Sequence, residues 1–262
     1  FDKNKYHLKK EPTYFDPAPS NEKRAKSACI NSIASGCLSV AAHYLTTNQK
    51  AASYKYFQMA CNIGSGRGCY GAGRHVRGKG NLLLARDYFS KGCRHKDGNS
   101  CFALAEIKYE PGVKNRDRDD LYMIACDLNS DAGCVRLGEY FYHEGKVGKA
   151  QVYFERACEI GNYLGCYNGG VAYYDQREYL KSRRMMEESC RLGGPKGCYQ
   201  VARYHAKDSN WDTTFDYLEK ALKNNFDDWE LVEYDPAFEE IRKRDAYREL
   251  VDVYLLPLQK AK

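Results

Sequence analysis

Twelve cysteines carry the most chemistry in this chain, and they stand in six pairs of one spacing, C-x7-C. Cys29 stands with Cys37, Cys61 with Cys69, Cys93 with Cys101, Cys126 with Cys134, Cys158 with Cys166, and Cys190 with Cys198. Thiols so arranged can form disulfides, ligate a metal or exchange electrons as dithiols. Structural zinc prefers cysteines about two to four residues apart, and catalytic dithiols usually sit two apart at a helix N-terminus. An even count with one repeated spacing instead fits a ladder of disulfides. The histidines (His7, His43, His75, His95, His143, His205) have no metal-ligand spacing, so no metal site is assigned. A Gly-rich phosphate loop, a nucleophile elbow and a His-x-x-x-His helix are all missing, and no S-x-x-K stands with its companion motifs. No catalytic residue and no cofactor is assigned.

The pairs recur every 32 residues, with one step of 33 between Cys93 and Cys126. A fixed period of this size marks an array of one supersecondary unit. A small residue precedes the first cysteine: Ala60, Gly92, Ala125, Ala157, Ser189. Four residues before that cysteine lies a large one: Phe57, Phe89, Tyr122, Phe154, Met186. Eight before it stand Ser53, Ala85, Ala150 and Ser182, with Arg118 as the exception. A spacing of four places these on one helical face, which defines a helix B. Glycine soon afterwards, as in Asn62-Ile-Gly and Glu159-Ile-Gly, signals its C-cap. The second cysteine opens helix A, and four residues past it every copy has Ala or Gly: Ala41, Gly73, Ala105, Gly138, Gly170, Ala202. Such a position marks a close helix crossing, where a larger side chain would overpack the contact.

Each unit is therefore an antiparallel helix pair, and C-x7-C joins the last turn of helix B to the first turn of the next helix A. Cysteines flanking so tight a turn come within disulfide range. The loop-entropy relation gives about 2.5 kcal/mol per bridge. The expected fold is all-α, a right-handed solenoid of disulfide-stapled helix pairs. Residues 1–20, with Pro12, Pro17 and Pro19, read as an extended arm. Residues 21–222 form the array, opened by half a repeat over Asn21–Ile30. Residues 223–262 cap it, with Asp235 as N-cap, Pro236 in a first turn, and Phe238, Ile241, Tyr247, Leu250 and Val251 facing the preceding repeat.

Twelve cysteines are a liability in a reducing cytosol. A periplasmic or secreted location is expected, with the mitochondrial intermembrane space as the alternative. The chain starts at Phe1 with no visible signal peptide, which fits a targeting segment already removed. No apolar run of about 18 residues is present to span a membrane. The net charge of +6 is too mild to argue for nucleic acid, and basic residues are interspersed with acidic ones, as in Arg116-Asp-Arg-Asp-Asp120.

The run Tyr153-Phe-Glu-Arg-Ala-Cys-Glu-Ile-Gly-Asn-Tyr-Leu-Gly-Cys-Tyr-Asn-Gly-Gly-Val-Ala-Tyr resembles the cysteine-rich Sel-one-like repeat proteins, relatives of tetratricopeptide repeats. The resemblance covers residues 29–222. It departs in length: the usual Gly-x-Gly-Val loop between helices A and B survives only in Gly78-Lys-Gly and Gly145-Lys-Val. The resemblance implies that helix A lines the concave surface. Positions two, five and eight past the second cysteine then face a groove. They are Arg136, Asn168 and Gln200; Arg74, Glu106, Glu139 and Arg203; and Arg77, Tyr109, Tyr142 and Tyr174. Tyrosine and arginine are enriched at interface hot spots. The implied function is a monomeric scaffold holding a protein or peptide ligand. The resemblance also brings an alternative, an envelope penicillin-binding or weak β-lactamase-type hydrolase.

Overall fold

The computed structural model describes residues 19–108, 116–228 and 230–255, and every regular element among them is helical. The chain divides into two compact units, Phe1–Asn115 and Arg116–Lys262. The first holds α1 (Pro19–Ile30), α2 (Ala34–Thr46), α3 (Lys50–Asn62), α4 (Gly66–Gly78), α5 (Leu82–Arg94) and α6 (Gly98–Lys108). The second holds α7 (Arg116–Asp127), α8 (Asp131–His143), α9 (Val147–Ile160), α10 (Tyr163–Asp175), α11 (Tyr179–Arg191), α12 (Pro195–Lys207) and α13 (Trp211–Lys223). Within each unit the helices pack in consecutive pairs, as a stapled solenoid requires. Even-numbered helices α2–α12 are the A helices; odd-numbered ones are the B helices. The expected arm lies outside the described residues up to position 18, and α1 begins at Pro19 rather than Asn21.

All six expected disulfides are present, each within its own C-x7-C pair. Cys29 is bonded to Cys37, Cys61 to Cys69, and Cys93 to Cys101. Cys126 is bonded to Cys134, Cys158 to Cys166, and Cys190 to Cys198. The paired Cα atoms lie 4.5–4.6 Å apart. The second cysteines, Cys37, Cys69, Cys101, Cys134, Cys166 and Cys198, are fully buried, so they belong to the scaffold and offer no surface to a ligand. The first cysteine sits in the last turn of helix B, and the second is the fourth residue of helix A.

One backbone design serves all six turns. The third residue past the first cysteine is left-handed: Ser32, Gly64, Lys96, Asn129, Gly161, Gly193. The amide of the next residue returns to the carbonyl just before that cysteine, at 2.8–3.1 Å, in a Schellman-type closure. That same residue then starts helix A. Ser65, Asp97, Ser130 and Asn162 each accept a backbone N–H three residues on. One residue thus closes one helix and caps the next. The glycine C-cap signal is correct in three turns, and Ser32, Lys96 and Asn129 hold the same conformation without it.

Distances explain the small positions of helix A. A β-carbon placed on Gly73 would lie 2.6 Å from the Phe89 ring. On Gly138 it would lie 2.5 Å from Phe154, and on Gly170 2.9 Å from the Met186 methyl. Phe89, Phe154 and Met186 of α5, α9 and α11 therefore seat on the small residue of the preceding helix A. Ser53, Ala85, Ala150 and Ser182 are buried, and Ser53 donates to the Ala41 carbonyl at 2.7 Å. Beyond α13 come α14 (Glu230–Tyr234), a 3-10 turn (Pro236–Phe238), α15 (Glu239–Arg242), α16 (Asp245–Leu250) and a π turn (Val251–Leu255). Asp235 accepts from the Ala237 amide, and Phe238 and Ile241 are fully buried. The expected helix at Pro236 is a single 3-10 turn leading into α15.

The disulfides impose one further rule. The residues just before the two cysteines of a pair face each other, and at least one of them is glycine. Ala28/Gly36, Ala60/Gly68, Ala125/Gly133, Ala157/Gly165 and Ser189/Gly197 place the glycine second, where a β-carbon would meet its neighbour at 2.5–2.7 Å. Gly92/Ser100 reverses the order, and a β-carbon on Gly92 would meet Ser100 Oγ at 2.2 Å. Gly92→Ala should therefore cost roughly 1–3 kcal/mol by overpacking. Ser100→Gly added to it should restore most of that loss, because Ala/Gly is the arrangement of four other turns. Chemical denaturation of the oxidised single and double variants measures this, and strict additivity would refute the coupling.

Candidate binding face of helix A

Where they are described, positions two, five and eight past the second cysteine named above are half-buried or exposed. At position five, Arg74 is exposed with its guanidinium 5.8 Å from the Tyr70 ring centre. Glu106 and Glu139 are half-buried, and Glu139 pairs with exposed Arg136 at 3.0 Å. At position eight, Arg77 and Tyr174 are exposed; Tyr174 meets Tyr179 edge-on at 5.3 Å. Tyr142 is half-buried, donates to Asp175, and also touches the cluster of Ala150, Phe154 and Ala172. Tyr109 lies outside the described residues. Asn168 and Gln200, at position two, are half-buried. No group of three or more His, Cys, Asp or Glu among the described residues is placed to hold a metal.

In the first unit α2, α3 and α4 enclose a cleft of about 620 Å³. Arg74 lines it, together with Lys50, Tyr54, Arg67, Tyr70 and Lys79, and among the described residues that line it none is acidic. Gln58 donates to both Tyr54 (2.9 Å) and Tyr88 (2.8 Å), fixing one wall, and His75 stacks on Tyr54 at 4.5 Å. Burial, then the charges of Lys79 and Lys50, hold the His75 imidazole below its ordinary range. The local field is positive.

In the second unit the last helix A already carries a chain segment. Asp235 sets Oδ2 2.8 Å from the Tyr199 hydroxyl, which donates to it, and 2.7 Å from Arg203 Nε. Its Oδ1 accepts from the Ala237 amide at 2.9 Å. Tyr199 is itself held by Phe226, stacked at 5.0 Å, and Phe238, edge-on at 5.7 Å. Of the positions expected to face a groove, Arg203 is thus engaged by the chain's own carboxylate.

Comparison with solved structures places this geometry. A Sel1 repeat protein from Oxalobacter formigenes superposes with a TM-score of 0.63 at 14% identity, over 78% of this chain and 98% of that one. A protective antigen of uropathogenic Escherichia coli displaying an SLR fold gives 0.56 at 19% identity. The match covers 78% of this chain but only 49% of the antigen, about half its length. The pilF protein of Pseudomonas aeruginosa gives 0.52 at 14% identity, over 85% and 98%. The fold is that of the Sel-one-like repeats. No protein-family model matches the sequence, and no curated protein matches it either.

The Sel-one-like frame shows what the groove pattern alone does not single out. Lys50, Tyr54 and Lys79 come from helix B and from the turn after helix A, which the second-cysteine register does not index. Charge is also unevenly divided, so the expected interspersion holds only for the second unit. The first unit has 19 basic and 8 acidic residues, the second 22 and 27. Between Lys23 and Lys96 stand thirteen basic residues and a single acid, Asp87. A net charge of +6 averages these out.

The tyrosines of both units also set a pH response. Burial first raises Tyr167, Tyr173 and Tyr199, with hydrogen bonds to Glu155 and Asp235 adding to the last two. Burial likewise lifts Tyr54 to about 12, and the Asp175 bond raises Tyr142. Unfolded tyrosine titrates near pH 10, so the unfolded chain loses these protons first. Stability should hold below about pH 10 and fall as pH rises through the folded values. Tyr199→Phe, which removes one such proton, should flatten that decline; denaturation midpoints at neutral and alkaline pH test it, and an unchanged slope would contradict it.

Proposed function

We propose that this protein is a binding scaffold that holds a protein or peptide on the helix A face, in the periplasm or outside the cell. Six bonded pairs and no free cysteine fit an oxidising, non-cytoplasmic compartment. No helix among the described residues is long and apolar enough to cross a membrane. The fold is one of protein-interaction scaffolds. The observation that carries the proposal is Asp235 on Tyr199 and Arg203. There a segment of the chain itself is seated on a helix A through its side chain. Arg74, Arg77, Arg136 and Tyr174 are exposed and present the same kinds of side chain.

The stapled repeat suits this work. Its register is fixed by disulfides and by the Gly–large side-chain contacts, so the exposed positions enter binding already ordered, which reduces the entropy lost on association. Hot-spot chemistry at such positions is worth about 2 kcal/mol or more per residue.

Arg136→Glu with Tyr174→Ala should lower recovery of a bound partner from envelope extract by roughly tenfold or more. Arg94→Ala or Arg184→Ala, each at an exposed position of a helix B, should leave it unchanged. Equal recovery with all variants would remove helix A as the binding face. Turnover of nitrocefin by the oxidised wild type would instead favour the hydrolase alternative.

A further inference from the structure

We propose that the first unit docks on an anionic lipid surface, through the edge where α4 turns into α5. Three leucines in succession, Leu82, Leu83 and Leu84, open α5 and are 55%, 69% and 38% exposed. The repeat does not ask for them. Aligned on the first cysteine, the same three places carry Lys50-Ala-Ala in α3, Val147-Gly-Lys in α9 and Tyr179-Leu-Lys in α11. Nor do they cap the helix, since the Asn81 side chain accepts the Leu84 amide at 3.1 Å. Ala51, Gly148 and Leu180, in the place of Leu83, are exposed as well. Solvent access there is thus a property of the register.

Direction and charge select a bilayer. Successive helix residues point about 100° apart, so the three leucines fan over more than half of the helix. A protein partner meets one stripe of a helix, whereas a lipid phase takes apolar groups from every direction. Lys79 stands three residues before Leu82, and Arg86 one turn after it on the same face. Leu45 and Lys50, at the two ends of the neighbouring turn, share a cleft with Gly78 and Lys79, which sets the two turns side by side. Asp87, one turn after Leu83, is the single acid among residues 23–96, against thirteen bases. Lysine and arginine beside such leucines bury their stems and keep the charge among headgroups. Interfacial binding grows with both the apolar area and the attraction to anionic lipid. The corresponding turn before α11 has the first without the second. Leu180 is 79% exposed, but Asp175 and Glu178 offset Arg177 and Lys181 around it.

The probe is unilamellar vesicles of phosphatidylglycerol and phosphatidylcholine, with phosphatidylcholine alone as the neutral arm, co-sedimented with the oxidised full chain. Binding to the anionic vesicles should be saturable, weaken with salt, and exceed that to neutral ones by about tenfold or more. Leu83→Asp should reduce the partition by roughly tenfold or more, and Lys79→Glu with Arg86→Glu by a similar factor. Leu180→Asp, the same change at the same place in α11, should alter it less than about twofold. The indole of Leu83→Trp should shift its emission to the blue on binding and be quenched by brominated acyl chains.

Equal loss in Leu180→Asp and Leu83→Asp would overturn this edge in favour of general apolar adhesion. Equal binding to neutral vesicles would overturn the charge complementarity, and unquenched emission from Leu83→Trp would overturn insertion. Dimerisation without vesicles that Leu83→Asp abolishes would overturn the lipid and make a second copy the occupant. Leu83, Lys79, Arg86 and Leu180 are all exposed, so each variant should melt as the wild type does, which separates lost binding from unfolding. The edge goes beyond the peptide-holding face of the A helices: partner recovery through Arg136 and Tyr174 stands or fails separately.

Discussion

Two helix backbones joined through cysteines whose Cα atoms are 4.5–4.6 Å apart leave space for one β-carbon, not two, at the preceding positions. Everything regular about this molecule follows from that approach. It demands a glycine on one side or the other, and it fixes the angle at which helix A leaves helix B. It also sets the rotation of helix A, because the fourth residue of that helix is the bonded cysteine. Once that rotation is set, position four past the cysteine meets the next helix B of the same unit, and at Gly73, Gly138 and Gly170 there is no space for a larger side chain. Positions one, five and eight then fall elsewhere on the same helix. The close contact is thus local, but its consequence is a repeating assignment of which side chains belong to the core.

The division of labour this creates bears on function. In an unstapled solenoid the stacking of repeats must carry stability, and substitutions on the binding face act on folding as well. Here the turn is covalently closed, capped by a side chain in four of six copies, and tightly packed. The A helices can accordingly differ at positions one and five, from Leu38/Ala42 to Tyr70/Arg74, while the backbone repeats. The tyrosines show the same freedom. Tyr142 reaches Asp175, Tyr173 reaches Glu155, and Tyr199 reaches Asp235, each joining a different pair of elements by the same phenol–carboxylate bond.

The architecture was legible because cysteines and small residues are rare enough for their spacing to stand out. Helix B, helix A, the staple between them and the cap at Asp235 can all be read from residue types. The left-handed turn positions could be read only where glycine occupies them. Ser32, Lys96 and Asn129 take the same φ because the Schellman closure and the disulfide hold it, helped at Lys96 and Asn129 by the side-chain caps of Asp97 and Ser130, against the usual steric cost of a β-carbon there. The lining of the cleft was legible in part. Arg74 follows from counting past Cys69, but Lys50 and Lys79 reach its cleft through the turn geometry and through helix B. Arg203 carries the same signal as Arg74 and is nonetheless engaged, because Asp235, more than thirty positions away in sequence, folds back onto it. No local pattern encodes that return.

The same two helices show why a repeat protein need not use its surface uniformly. Lys196, Tyr199 and Arg203 match Arg67, Tyr70 and Arg74 in register, yet the first set closes the array and the second lines a cleft. What differs is the chemistry around them. Residues 227–252 bring ten acids to the C-terminal end, from Asp227 to Asp252, so the cationic pair of α12 finds its carboxylate within the chain. Around α4 acids are fewer: Asp87 is the single one among residues 23–96, and Glu106 stands 36 residues past Tyr70, as Asp235 does past Tyr199.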